Sequence, residues 1–173
     1  YTPALLALLL TACAGSPTAP GPAAPVAPAT PLSVKIIGIN DFHGAIEAPN
    51  QSIGAVLPSG EMVRVPVGGA AFLASAIDTY RAKNPNTLVV SAGDLIGGTP
   101  ITSSLFLDEP TIGVMNRIGL DFNAVGNHEF DRGRKELVRM QEGGCEKLTV
   151  REPCRVEKSF DGAKFQFLAA NVV

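Results

Sequence analysis

Histidine and cysteine are scarce in this chain, with two and three copies in 173 residues, and basic residues are not in excess, since 14 Lys and Arg face 16 Asp and Glu for a net charge of −2. Without a basic surplus, the composition gives no sign of a nucleic acid polymer as partner, because such binding is driven by neutralising phosphates. The apolar run at the front, Ala4 to Ala12, falls far short of the ~20 residues that span a bilayer. No G-x-G-x-x-G follows a strand-like run and no G-x-x-x-x-G-K-[ST] occurs, which argues against dinucleotide and P-loop binding. There is no internal repeat and no C-x-x-C pair, so neither a repeat architecture nor a cysteine-zinc site is favoured. With so few histidines, their placement is informative: His43 lies in "NDFHG" and His128 in "GNHEFD", each just past a short apolar run.

The first thirty-one residues differ from the rest. "ALLALLLTACAGS" is apolar and ends in small residues, which fits the h-region of a secretory signal, and "LLTAC" resembles the bacterial lipobox. By that resemblance residues 1–13 are a signal peptide and Cys13 is the lipidated anchor; a plain signal with an incidental cysteine is the alternative. Residues 14–31, almost entirely Pro, Ala, Gly and Thr, cannot bury a core and are expected to form a disordered Pro/Ala tether. This front end predicts a lipoprotein of the bacterial cell envelope, periplasmic or on the outer membrane. No Met precedes Tyr1, so the chain is expected to lack its true start. With Cys13 acylated, Cys145 and Cys154 remain to close a small disulfide loop in an oxidising compartment.

From residue 32 onward, short apolar runs alternate with amphipathic stretches. Ser33–Ile39, Thr87–Ala92, Phe122–Gly126 and Lys164–Val172 read as strands, three of them apolar enough for burial. Between them lie three predicted helices. The first, Gly68–Asn84, carries Phe72, Leu73, Ala76, Ile77 and Tyr80 on one stripe; Glu109–Gly119 and Arg132–Gly144 are the others. Strand and helix in alternation predict an α/β domain with a largely parallel sheet. Ala45–Pro66, rich in Gly, Pro and polar residues, reads as a long functional or mobile loop.

Three predicted strands finish in residues suited to metal and phosphate: Asp41 and His43, then Asp94, then Asn127, His128 and Asp131. Ligand sites in α/β sheets lie beyond the carboxyl ends of strands, so three loops can converge there. Carboxylate and amide oxygens suit hard divalent cations, and imidazole adds affinity for zinc, manganese or cobalt. In an extended Asp-x-His, Asp41 and His43 point the same way and can share one ion, Asp94 can bridge two, and Asn127 can serve the second. Two ions ~3.5–4 Å apart can activate a water for phosphoryl transfer. His128 is then free to protonate the leaving oxygen, with Asp131 holding its imidazole.

"NDFHG", "GDxxGGTP" and "GNHEFDxG", in this order, resemble the metallophosphatase domain of the bacterial 5'-nucleotidase/UDP-sugar hydrolase and ecto-5'-nucleotidase family. The resemblance covers roughly Ser33 to Val173 and implies a four-layer α/β/β/α metallophosphoesterase domain, present here in part (residues 32–173). It implies two divalent metal ions (Zn, Mn, Co or Mg), with Asp41, His43, Asp94 and Asn127 as ligands and His128 with Asp131 as catalytic dyad. The substrate implied is an extracytoplasmic nucleotide, recognised by a separate C-terminal nucleoside-binding domain. Family members complete their metal sites with later histidines, and none occurs here after His128. The chain is therefore expected to be the N-terminal part of a longer enzyme, inactive alone.

Other readings stay open at this level. The same core can carry a cyclic-nucleotide phosphodiesterase or a sulfur-ester hydrolase, and a non-catalytic surface lipoprotein can keep the scaffold. Asp-x-His is often turn chemistry, Asp94 can make an Asx-turn, and Asp131 can cap the next helix. Arg132, Arg134 and Lys135 oppose a helix macrodipole, which hints at an anion, but a solvated face is the simpler expectation. Glu129 is assigned to supporting hydrogen bonds.

Overall fold

A computed structural model describes residues 30–170 and 172. The predicted signal peptide, Cys13 and all but the last two residues of the tether lie outside the described residues. Four strands, β1 (Lys35–Ile39), β4 (Thr87–Ser91), β5 (Phe122–Ala124) and β6 (Gln166–Leu168), form a parallel sheet in the order β1-β4-β5-β6. Three helices fill the crossovers: α1 (Ala70–Lys83), α3 (Glu109–Ile118) and α4 (Arg134–Glu142), with a short α2 (Ile101–Ser104) ahead of α3.

Strand order explains the layering. Parallel neighbours need crossovers, and crossovers are right-handed, so a sheet that grows in one direction puts all its helices on one face. That face carries Ile37, Ile39, Val89 and Phe167 against Ile77, Ile112, Met115 and Met140. Each such side chain, fully buried, contributes roughly 1.5–3 kcal/mol. The opposite face is open: Ile36 is 67% exposed and Leu168 51%. Of the four layers expected, the described residues form one helical layer packed on one four-stranded sheet, with a separate two-stranded sheet.

Several expectations change in detail. Only Val89 and Ser91 of β4 and Asn123 of β5 are buried among the strand residues, because one sheet face is uncovered and β1 lies at an edge. On α1, Ile77 is buried with Leu73 and Ala74 beside it, while Phe72 and Tyr80 face outward, Tyr80 lying beneath the Lys35 and Lys83 ammonium groups. The expected loop Ala45–Pro66 instead holds an antiparallel hairpin, β2 (Gln51–Val56) with β3 (Met62–Val67). Its Gly and Pro content masked the strands; an isolated hairpin tolerates Pro66 because only one of its edges is paired. The last strand is three residues long, not nine.

A buried ion network that composition did not reveal ties α3 to α4. The Arg139 guanidinium donates to Glu109 (2.8 Å) and to Glu136 (2.7 Å), all three side chains being at most 6% exposed. Burial works against the Arg139 charge, but Glu136 and Glu109 more than offset it and raise its pKa. Glu109 also accepts the Cys154 N–H at 3.0 Å, which anchors the loop closed by the Cys145–Cys154 disulfide (Cα–Cα 5.6 Å).

Candidate metal and phosphoester site

The loops after β1, β4 and β5 meet beyond the carboxyl edge of the sheet. Backbone bonds zip the first two together there: Asp41 N–H to Gly93 O (3.1 Å), His43 N–H to Asp94 O (3.0 Å) and Gly44 N–H to Leu95 O (3.1 Å). This pairing bends both loops. Asp41, His43 and Asp94 all take positive φ, at 49°, 43° and 53°. Left-handed backbone is uncommon outside glycine and costs roughly 1–2 kcal/mol per residue, so three cases at one spot are held there by the paired loops. Asp41-Phe42-His43 is thus a turn, not the extended segment expected. Even so, Asp41 Oδ1 comes to 3.9 Å from His43 Nε2.

One ligand-capable atom from each of His43, Asp94 and His128 lies within 4.8 Å of the others. The imidazoles meet edge to face at 4.9 Å. Tautomers follow from the partners. His43 Nδ1 lies 2.8 Å from the Gly97 carbonyl, which only accepts, so Nδ1 donates and Nε2 keeps its lone pair. His128 Nδ1 lies 2.9 Å from Asp131 Oδ2, and that hydrogen bond, helped by the charges of Asp131, Asp94 and Glu129, outweighs desolvation and raises the His128 pKa. Two imidazoles and a carboxylate with ligand-capable atoms this close suit a borderline divalent ion.

His128 joins the metal-capable group, where the motif reading placed it beside the ligands. Asn127 is exposed at the start of a 3-10 turn, His128–Phe130, that turns His128 toward Asp94. Asp131 does not cap α4, whose N-cap is Gly133; its carboxylate is on His128 instead. Arg132 is not a solvated side chain: it is 21% exposed and paired at 2.5 Å with the buried Asp108. Arg134 and Lys135 are exposed, as a solvated face requires.

Glu129 binds the centre together from beneath. It is 3% exposed, and its carboxylate accepts the backbone N–H of Asp94 (2.9 Å), Leu95 (2.9 Å) and Gly126 (2.7 Å) and the Asn123 side-chain amide (3.1 Å). The Asp94 carboxylate in turn accepts the His128 N–H at 3.1 Å. Gly126 leaves room for that carboxylate, since a Cβ there would collide with it. Asp108 is the residue sequence reading missed. Nothing local marks it; its partners are 5 to 24 positions away.

The profile of the family described as calcineurin-like phosphoesterase matches residues 34–161. An uncharacterized protein in the pqq-V 5' region of Acinetobacter calcoaceticus is 56% identical over 151 residues, covering 86% of this chain and 74% of that protein. Endonuclease YhcR of Bacillus subtilis is 36% identical over 145 residues, but the chain spans only 11% of its length. The NAD 5'-nucleotidase of Haemophilus influenzae is 32% identical over 111 residues, 64% of this chain and 18% of the enzyme. A solved NAD nucleotidase structure from that species superimposes with a TM-score of 0.57 at 28% identity, over 81% of this chain and 21% of that one. From the profile match and these likenesses, the chain belongs to the calcineurin-like phosphoesterase family, a family of metal-dependent hydrolases.

Proposed function

We propose that this core hydrolyses extracytoplasmic nucleotides at the 5'-phosphate, using two divalent ions. The observation that supports it most is the meeting of three strand-end loops that puts His43, Asp94 and His128 within 4.8 Å, with Asp131 hydrogen-bonded behind His128. Asp41, His43, Asp94 and Asn127 hold the metal. When bound, the ions supply Lewis acidity and an activated water for attack on phosphorus. His43 contributes through Nε2, because the Gly97 carbonyl occupies Nδ1. His128 keeps its Nδ1 proton on Asp131, so Nε2 is the atom that gives a proton to the leaving oxygen.

The rest of the reading concerns the whole protein. Nucleoside recognition falls to a further, C-terminal domain. Residues 1–13 direct export, Cys13 carries a lipid, 14–31 form the tether, and 32–173 form the hydrolase core in the cell envelope. Cys13→Ala should move the protein from the membrane fraction to the soluble one.

The test is turnover by the intact protein of AMP, UDP-glucose, 2',3'-cyclic AMP, a thiosulfate ester and single-stranded DNA. AMP should be cleaved fastest. A preference for the cyclic nucleotide or the sulfur ester would move the assignment to those alternatives, and cleavage of DNA would align the chain with its endonuclease relative. Loss of no activity in His128→Ala would overturn the dyad; no hydrolysis of any substrate with metal added would favour a binding lipoprotein.

A further inference from the structure

Asp108 occupies the N-cap position of α3, where an aspartate ordinarily accepts an N–H of its own helix. It makes no such bond. Its backbone is left-handed (φ 64°), its side chain is fully buried, and both carboxylate oxygens are turned away from the helix. Oδ1 accepts the hydroxyls of Thr99 (2.5 Å) and Ser103 (2.7 Å). Oδ2 accepts the Gly97 N–H (3.2 Å) and the Arg132 guanidinium (2.5 Å).

Those partners lead to both histidines. Gly97 is the residue whose carbonyl takes the His43 Nδ1 proton, and Thr99 ends the same loop. Arg132 follows Asp131, the carboxylate on His128. The loop runs so close to the His128–Asp131 segment that a Cβ on Gly97 would meet Asp131 Oδ2 at 2.7 Å, and one on Gly98 would lie 3.4 Å from both imidazoles.

We propose that Asp108 is a positioning residue of the active site, a single buried carboxylate that fixes the Gly97 carbonyl on His43 and, through Arg132, the segment bearing His128 and Asp131. The proposal rests on the phosphoesterase reading of those histidines. Burial pushes the Asp108 carboxyl up, but Thr99, Arg132 and Ser103 together hold it below its ordinary value, so it remains a charged anchor at neutral pH. An anchor of this kind acts on orientation, not on substrate contact. Its loss should therefore appear in kcat more than in KM.

The experiment compares Asp108→Asn, Arg132→Gln and Thr99→Val in the intact protein, with Arg81→Met as a control that breaks part-buried hydrogen bonds to Ile118 O and Gly119 O, where α1 and α3 end at the sheet edge opposite the histidines. Two readouts are taken: steady-state AMP hydrolysis, and the imidazole nitrogen resonances of metal-free protein, with His43 assigned by His43→Gln. Asp108→Asn should lower kcat about 10–100-fold with KM changed less than about threefold, and His43 should lose its single Nδ1–H tautomer. Arg132→Gln and Thr99→Val, which each break one arm, should give the same pattern more weakly, and they decide the matter if Asp108→Asn does not fold. Folded Arg81→Met should keep both kcat and the tautomer. Unchanged kcat and an unchanged His43 tautomer in the folded arm variants would overturn the proposal. If the wild type hydrolyses no phosphoester, the functional reading fails, while the resonances still decide whether Asp108 governs His43.

Discussion

Replacing Glu129 by glutamine should cost the fold about 2–6 kcal/mol. The magnitude comes from its four donors: Oε1 serves Leu95 N–H and the Asn123 amide, and Oε2 serves Asp94 N–H and Gly126 N–H. An amide is the same size, but one oxygen becomes an NH2 group that faces two N–H donors. Those two lose their acceptor in a site only 3% exposed, at about 1–3 kcal/mol each. Against a total stability of about 5–15 kcal/mol for a domain, that loss is large. It also frees the Asp94 backbone, so metal affinity should fall with stability. Urea unfolding followed by circular dichroism gives the first quantity and calorimetric titration with Mn2+ the second. An unfolding free energy within about 0.5 kcal/mol of wild type, the scatter of neutral surface changes, would show that Glu129 does not bind these loops together.

Asp131→Asn removes the main cause of the raised His128 pKa, so the alkaline limb of the kcat–pH profile should move to lower pH. The stability that His128 gains from Asp131 has the matching sign: it is fully present below the ordinary histidine pKa of about 6.5 and fades as pH rises through the raised value, and thermal melts of Asp131→Asn and wild type should converge at alkaline pH. Chelation should abolish turnover, and re-addition of Zn2+, Mn2+, Co2+ or Mg2+ in turn should rank the ions, with His43→Gln needing more of each; chelator-insensitive hydrolysis would count against the metal centre. Reducing Cys145–Cys154, or replacing both by serine, should cost about 2.5 kcal/mol for so short a loop, seen as a lower Tm; equal thiol titres with and without reductant would rule the bridge out.

Much of the core was legible locally. The strand at 87–91 and the helices over 70–83 and 109–118 lie almost where apolar spacing puts them, because neighbouring residues decide which face turns inward. The hairpin at 51–67 was not legible, since the Gly and Pro scattered through and around its strands read locally as loop. Nor was the turn at Asp41–His43: its left-handed backbone is set by hydrogen bonds to residues some fifty positions later.

By itself, the order of residues determined where the candidate groups gather: the two histidines and their neighbouring carboxylates stand at strand ends, and strand ends in a parallel sheet share one edge. Tertiary structure alone decided what holds those groups still. Glu129 and Asp108 took their partners, and Arg132 left solvent, because a buried carboxylate must find donors wherever the packed chain brings them. Donors far apart along the chain carry no local signal; they become neighbours only when the loops close.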